Sequence, residues 1–310
     1  MTALLEIKQY IRKFYIKNEV YITYVWKFLL ALISISVINS KLGKMESITN
    51  IAIVLMASLL CAILPPNFIV FMSSLFVVGH LFALAPECAL IALIVFALMF
   101  LLYFRFSPKD TLLVLLTPLL FFLRIPYLMP LAAGLLGTPA SIISISFGLV
   151  ISFMISFFSS YTASFGGENV EATAFEFKTV ISEIIGHKSM LVMIVTFAIT
   201  IAIVYIIRRS SINNCWKLAI ITGSICLIVT ALIGNLVAGT HISFLEVFLG
   251  TTVSALMALG IEFFSFNLDY SRTEKVQFED DDYYYYVKAV PKVTLTAPDR
   301  RVKKINRAKR

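Results

Sequence analysis

Long apolar runs follow one another from Tyr21 to Phe266, separated by short polar links. Several runs approach the roughly 18 to 20 residues that an α-helix needs to cross about 30 Å of hydrocarbon. Leucine, isoleucine, alanine and phenylalanine occupy every face of these runs, whereas a transmembrane β-barrel would alternate apolar and polar positions. The pattern predicts an all-α fold, a polytopic transmembrane helical bundle.

Polar links and prolines mark where the predicted spans begin and end, because proline stops or kinks a helix. Examples of such links are Pro65-Pro66 and Pro86-Glu87. Eight full spans are expected at residues 21–40, 49–64, 67–85, 88–104, 142–161, 190–207, 218–238 and 244–265.

Residues 111–141 predict a different element, with two short apolar halves on either side of Arg124-Ile125-Pro126. Each half reaches at most roughly 22 Å at 1.5 Å per residue, so neither crosses a bilayer of ordinary thickness comfortably. A broken, re-entrant helical hairpin fits these lengths better than two complete spans. Either eight spans plus the hairpin or ten spans return the chain to the side on which it started.

The hydrophobic pattern divides the chain into three regions. Residues 1–20 carry apolar residues at helical spacing opposite Lys8, Arg12 and Lys17, which is typical of a basic amphipathic interfacial helix. Residues 21–266 form the transmembrane domain. Residues 267–310 form a charged tail, too short to bury an independent core.

Composition agrees with the apolar pattern, since 59% of the 310 residues are hydrophobic, 14% are charged and the mean hydropathy is +0.91. The net charge of +8 is concentrated in the two ends of the chain. Basic flanks beside apolar spans indicate contact with anionic lipid, and no nucleic-acid partner is expected.

Lysines and arginines of short loops predict the orientation, because they favour the cytoplasmic side. With both termini cytoplasmic, the basic links at Arg105–Lys109 and Arg208–Lys217 also face inward. The loop 162–189, richer in glutamate than in lysine, then faces outward and carries a predicted amphipathic helix at residues 170–185. That helix either covers the mouth of the bundle or acts as a gate or partner site. Lys41 and Lys44 alone oppose this orientation.

Motifs for catalysis are absent from the sequence: it has no phosphate-binding loop, no HExxH and no GxSxG. We therefore expect no enzyme activity, no cofactor and no metal. Cys61, Cys88, Cys215 and Cys226 lack metal-site spacing and are expected to be free thiols.

Five residues of the membrane domain are candidates for a solute site, namely Arg124, Pro126, Tyr127, Glu246 and His80. An arginine among apolar residues is costly at bilayer depth, and a broken helix leaves backbone amides free to face a cavity. Two interpretations of Arg124 stay open, a substrate site near the midplane or an anchor to lipid phosphate at the outer surface. His80 is either a proton relay or a hydrogen-bonded packing residue. Glu246 is either the outer acid of an ion path or an interfacial residue.

The tail contains a candidate site for a cytoplasmic partner protein. Val276–Val290 joins an acidic run to four tyrosines and predicts an extended strand, and Lys292–Thr296 predicts a second. An extended segment with exposed backbone can add to the sheet of a partner, or pack on its own membrane domain. The candidate partner-binding residues are Asp280, Asp281, Asp282, Tyr283, Tyr284, Tyr285 and Tyr286.

Three segments, VQFEDDDYYYYVKAVPKV, LLYFRFSPKD and FFLRIPYLMPLAAGLLGTPAS, carry a resemblance. With them the chain resembles a group of uncharacterised polytopic membrane proteins from clostridia and related Gram-positive bacteria, some of which are labelled permease. The resemblance implies a multi-pass protein of a bacterial plasma membrane. It implies no substrate and no site residue.

The sequence therefore supports two alternative functions from different classes. The first is a transport component, either a secondary transporter or a permease-like subunit, with Arg124 and the hairpin at its central site. The alternative is an envelope scaffold that does not transport and recruits a partner through its cytoplasmic tail. An intramembrane enzyme acting on lipid ranks below both.

Overall fold

The computed structural model describes residues 2–164, 186–212, 214–240, 243–265, 274–279 and 283–289. The predicted outer helix at 170–185, His241 and Asp280–Asp282 lie outside these described residues. The elements are α1 (Thr2–Lys17), α2 (Glu19–Leu42), α3 (Glu46–Thr49), α4 (Ile51–Ile63), α5 (Asn67–Leu84), α6 (Pro86–Phe106), α7 (Thr111–Phe122), α8 (Leu128–Leu136), α9 (Ser141–Ser164), α10 (Lys188–Arg208), α11 (Cys215–Ala238), α12 (Phe244–Ser265), β1 (Glu274–Glu279) and β2 (Tyr284–Ala289).

The predicted all-α membrane bundle is confirmed. In the part of the chain that the structure describes, seven helices are long and apolar enough to cross a membrane: α2, α5, α6, α9, α10, α11 and α12. Two further apolar helices, α4 and α7, are shorter.

The span predicted at 49–64 is shorter in the structure, because α4 has only 13 residues. The Asn50 side chain accepts a hydrogen bond from the Ala52 amide and caps α4, with backbone angles that break the helix between α3 and α4. Pro65 follows the other end. At 1.5 Å per residue α4 is about 20 Å long, less than the hydrocarbon thickness.

Hydrogen bonds between helix ends fix the direction of the chain through the bundle. The Lys27 ammonium near the start of α2 donates to the Leu64 carbonyl just after α4, at 3.0 Å. The Tyr103 hydroxyl near the end of α6 donates to Asn67 Oδ1 at the start of α5, at 2.9 Å. We call the face that holds these groups the amino-terminal face and the other the opposite face. The loops after α6 and after α10 lie on the amino-terminal face.

The chain divides into two compact units, residues 19–263 and the two ends of the chain, residues 1–18 with 264–310. In the second unit, α1 has Ile7, Ile11 and Phe14 about half exposed. Strands β1 and β2 pair antiparallel, from Glu274 opposite Ala289 to Glu279 opposite Tyr284.

The extended segment predicted at Val276–Val290 is β-strand where the structure describes it, and it contributes to two paired strands rather than to one. A hairpin pairs backbone groups that a lone extended segment leaves unpaired, which explains the difference. The second predicted strand, Lys292–Thr296, lies outside the described residues.

The core of the larger unit has two parts. Buried side chains of α2, α4, α5, α6, α7 and α9 form one cluster. Two smaller clusters surround α8 and draw on α9, α10, α11 and α12. Every residue of α8 from Leu128 to Leu135 is buried. The second part of the core is thus assembled around a short helix.

Candidate functional site

The break between α7 and α8 is an ordered turn. The Arg124 amide donates to the Phe121 carbonyl at 3.1 Å, and the Ile125 amide donates to the Leu120 carbonyl at 2.9 Å. These two bonds form a Schellman motif that ends α7, and Pro126 follows it. Arg124 has φ 60°, in the left-handed region where glycine is the usual residue.

The Arg124 side chain is exposed, and it lines neither of the two cavities described below. Among the described residues, none forms an ion pair or a hydrogen bond with its guanidinium. At the same corner of the opposite face, the Lys41 ammonium lies 4.7 Å from the centre of the Phe122 ring. The geometry therefore gives Arg124 a position on the outside of the bundle, and a substrate role for it stays a prediction.

Replacing Arg124 separates a backbone role from a charge role. Arg124→Gly is expected to be more stable than Arg124→Ala by about 1 kcal/mol, because only glycine adopts the left-handed conformation without strain. Thermal unfolding of the detergent-solubilised variants measures the difference. Equal stabilities would show that this turn is not left-handed.

The amino end of α8 lies inside the bundle, where Tyr127 and Leu128 are 5% and 7% exposed. The Met129 amide donates to the Pro126 carbonyl at 3.1 Å, and Pro130 has no N–H group. No side chain caps the helix. Within the described residues, the amides of Tyr127 and Leu128 have no acceptor, so the end of α8 presents two unpaired donors and the positive end of the helix dipole.

Tyr127 joins this end of α8 to α10 and α12. Its ring lies edge-on to Phe197 of α10 at 6.3 Å between ring centres. On α12 it fills the space beside Gly250, where a β-carbon would come within 2.6 Å of Tyr127 Cδ2. Glu246 lies one helical turn before Gly250 and is exposed. The structure thus brings together two of the predicted site residues, Tyr127 and Glu246.

A buried face of α12 packs on the same region. Val247 belongs to the cluster that contains Tyr127, and Ala258 belongs to the cluster that contains Leu131 of α8. Thr251 and Ser254 lie between Val247 and Ala258 at helical spacing, so they share that face. Thr251 is 1% exposed and Ser254 0%, and among the described residues neither hydroxyl has a hydrogen-bond partner.

The other end of α8 is held by Arg208, in the last turn of α10. Its guanidinium donates to the carbonyls of Leu135 and Gly137, the second at 3.4 Å, which satisfies backbone groups at the end of α8. The rings of Tyr205 and Trp216 lie 5.3 and 5.9 Å from the guanidinium carbon. Arg208 fixes α8 to α10 at the amino-terminal face.

His80 is separate from this group and lies in the first part of the core, with no exposed surface. Its Nδ1 accepts from the Met45 amide at 3.2 Å, and its Nε2 lies 2.8 Å from Asn39 Oδ1. These partners imply a neutral ring with the proton on Nε2. Asn39 in turn donates to the Ile48 carbonyl at 3.0 Å. His80 ties α5 to the end of α2 and to the link before α3, which favours the packing interpretation.

A cavity of about 30 Å³ lies in the first part of the core, between α2, α5, α6, α7 and α9. Ser34 and Ser73 line it, and their hydroxyls have no partner among the described residues. Pro118 of α7 also lines it and has no N–H to give to the Val114 carbonyl. This volume is enough for one or two water molecules.

A larger cavity, of about 680 Å³, lies between α4 and α5 and beside α3. Its lining side chains are all apolar and include Met45, Met56 and Met72. It offers no polar group that would orient a solute. We therefore assign no solute site to it.

In the tail, Tyr283, Tyr284 and Tyr286 are 67 to 76% exposed and Tyr285 is 37% exposed. Exposed tyrosines on a two-stranded hairpin are compatible with a docking surface. The acidic half of the predicted partner site, Asp280–Asp282, lies outside the described residues.

Sequence reasoning missed Thr251, Ser254 and Arg208 as parts of the site. The two hydroxyl residues lie within an apolar run, where serine and threonine commonly bond their own helix, as Ser58 and Thr200 do here. In the sequence, Arg208 indicates only the orientation of the chain. A small-residue face from Gly250 to Ala258 was the sole available signal, and such faces are common in membrane helices.

The chain matches no protein-family model, no curated protein and no solved structure. The resemblance to uncharacterised membrane proteins of Gram-positive bacteria stays a prediction. The conclusion that this is a multi-pass helical membrane protein therefore rests on the chain's own helices.

Proposed function

We propose that this protein is a membrane transport component, a secondary transporter or a permease-like subunit, whose solute passes the buried amino end of α8. The single observation that carries the proposal is α8 itself, a nine-residue helix buried along its length from Leu128 to Leu135. Transporters build solute sites from such interrupted helices, because irregular backbone at membrane depth is tolerated only inside protein or beside water.

The depth of the break supports the proposal. Nine residues span about 14 Å, roughly half of the hydrocarbon thickness. Tyr127 at the start of α8 contacts Phe197, which is close to the middle of α10. The amino end of α8 is therefore near the middle of the bundle, whereas its other end meets Arg208 at the amino-terminal face.

The orientation of the loops supports a multi-pass plasma-membrane protein with both termini cytoplasmic. Arg105, Lys109, Arg208 and Arg209 follow α6 or end α10, on the amino-terminal face. With Lys217 at the start of α11 and Lys27 of α2, this face holds more basic residues than the opposite face, which holds Lys41, Lys44, Arg124 and Lys188. An excess on one face is typical of the cytoplasmic side. The basic residues of α1, which include Arg12 and Lys17, suit contact with anionic lipid on that side.

Proteoliposomes that contain the protein and are incubated with a mixture of small metabolites test the proposal. We expect at least one solute to equilibrate into them faster than into protein-free liposomes, as read by mass spectrometry of the vesicle contents. The rate should fall in Gly250→Leu, whose side chain would occupy the space of the Tyr127 ring. Equal contents for every solute in both kinds of liposome would contradict transport.

A scaffold function remains as a second candidate because of the hairpin formed by β1 and β2. Its outer edges have no further strand among the described residues, and its tyrosines are exposed. Such edges can pair with a strand of a cytoplasmic partner.

Deletion of residues 276–310 tests this second candidate. A scaffold predicts that a co-purifying partner is lost, while the thermal stability of the membrane domain stays nearly unchanged because no core residue is removed. Quantitative mass spectrometry of affinity-purified material measures the loss. If the truncated and full-length chains retain the same proteins, the tail is not a recruiting element.

A further inference from the structure

The buried end of α8 has two unpaired backbone amides, and the buried face of α12 has two unpaired hydroxyls among the described residues. The unpaired amides of Tyr127 and Leu128 lie at the positive end of the α8 dipole. On the facing helix, the hydroxyls of Thr251 and Ser254 are buried and have no partner among the described residues. Unpaired polar groups of this kind cost free energy in an apolar core, so a shared ligand would stabilise all four.

One direct contact joins the start of α8 to α12, and two buried clusters include residues of both helices. The Tyr127 ring rests against Gly250, Val247 packs in the Tyr127 cluster, and Ala258 packs in the Leu131 cluster. Thr251 follows Gly250 directly, and Ser254 lies one turn further along α12. Since α8 and α12 both run toward the amino-terminal face, Thr251 and Ser254 follow the Tyr127–Gly250 contact along α12 in the direction in which the first turn of α8 follows it.

We propose that this site, which we call the α8–α12 site, binds the carboxylate group of a small monovalent solute. The inference rests on the proposed transport function and names the chemistry of its solute. Amide donors at a helix amino end bind anions, and serine or threonine hydroxyls add further donors.

The surroundings select the kind of anion. The side chains around the site are apolar and aromatic, including Phe197, Leu128 and Val247. Exposed Glu246 lies one helical turn before Gly250 and opposes the burial of any anion here, and it opposes a divalent phosphate or sulfate more strongly than a monovalent carboxylate. A carboxylate with a short apolar body satisfies the donors and also fills apolar space.

The ligand test uses the purified full-length protein and defined probes. Sodium acetate, propionate and butyrate are compared with sodium chloride and sodium sulfate at equal sodium concentration and constant pH, and the melting temperature is recorded. We expect propionate or butyrate to raise the melting temperature with a saturable concentration dependence, because a ligand that binds only the folded state stabilises it. Chloride and sulfate should not reproduce this increase.

Variants assign the effect to the α8–α12 site. Thr251→Val with Ser254→Ala removes both hydroxyls at nearly constant shape and should weaken carboxylate affinity about tenfold or more. Thr251→Ser retains a hydroxyl and should keep most of the affinity. Ser73→Ala, which removes another buried unpartnered hydroxyl from the first part of the core, is the matched control and should bind as wild type does.

The inference is overturned if no monocarboxylate stabilises the protein more than chloride, or if the double variant retains wild-type affinity. The melting temperatures without ligand show whether each variant folds. This inference and the transport proposal can fail separately. If the protein transports a solute without a carboxylate, the transport proposal holds and the carboxylate ligand is rejected. If carboxylates bind but no flux is measured, the ligand holds and the transport proposal is rejected.

Discussion

Gly223→Ala on α11 is expected to destabilise the bundle by about 2 to 3 kcal/mol, because the added methyl group would overlap a neighbouring helix. The β-carbon would meet Cγ2 of Val204 on α10 and lie 3.0 Å from Cδ2 of Leu131 on α8. Val204 is fully buried, and a β-branched side chain in a helix has little freedom to rotate away. Thermal unfolding in detergent measures the loss.

Two further variants make this prediction specific. Gly260→Ala on α12, where nothing lies within 4 Å of the added methyl group, should leave stability unchanged or slightly higher. In the double variant Gly223→Ala with Val204→Ala, the overlapping methyl group is gone. Its destabilisation should therefore be smaller than the sum of the two single effects. Simple additivity would mean that α10 and α11 are not in this contact.

Arg208→Ala should cost about 2 to 3 kcal/mol, because it leaves the carbonyls of Leu135 and Gly137 at the end of α8 without their charged donor. Arg209→Ala is the matched control. The Arg209 guanidinium donates to the Tyr205 hydroxyl at 2.7 Å in an exposed pair, so its loss should change stability by about 0.5 kcal/mol or less.

Arg208→Lys should fall between these two variants, since an ammonium does not reproduce the forked donor geometry of a guanidinium. Equal melting temperatures for Arg208→Ala and Arg209→Ala would contradict the role of Arg208 as the residue that holds α8. The comparison needs no knowledge of the solute.

The membrane bundle was predictable because apolar length is a local property of the sequence. Each of the seven long helices overlaps a predicted span, and the break at Arg124-Ile125-Pro126 was visible as a charge and a proline within an apolar run. The short length of α4 was not predictable. Asn50 ends one helix and caps the next through its backbone angles, and a run of apolar residues does not indicate those angles.

The surroundings of α8 could not be predicted from the sequence. Burial of all residues from Leu128 to Leu135 depends on which helices surround them, and the overlap of Gly223 with Val204 joins residues on different helices. The sequence marked Tyr127 and Glu246, which the structure brings together, but grouped them with Arg124 and His80. The Schellman turn exposes Arg124, and Asn39 and Met45 occupy both nitrogens of His80.

Transport as proposed has one necessary condition, that the α8–α12 site opens in turn to each side of the membrane. Its most direct test is a single cysteine at Ser254 in a background without Cys61, Cys88, Cys215 and Cys226, exposed to a membrane-impermeant methanethiosulfonate reagent from either side of sealed vesicles. Leu123→Cys, beside the exposed Arg124, should react from one side only.

Ser254→Cys is expected to react from both sides, in separate samples, even though Ser254 has no exposed surface in the structure. That result would require conformations that open the site to each face in turn. If Ser254→Cys reacts from neither side while Leu123→Cys does react, the proposed pathway is contradicted. In that case α8 is a purely structural element of a sealed bundle.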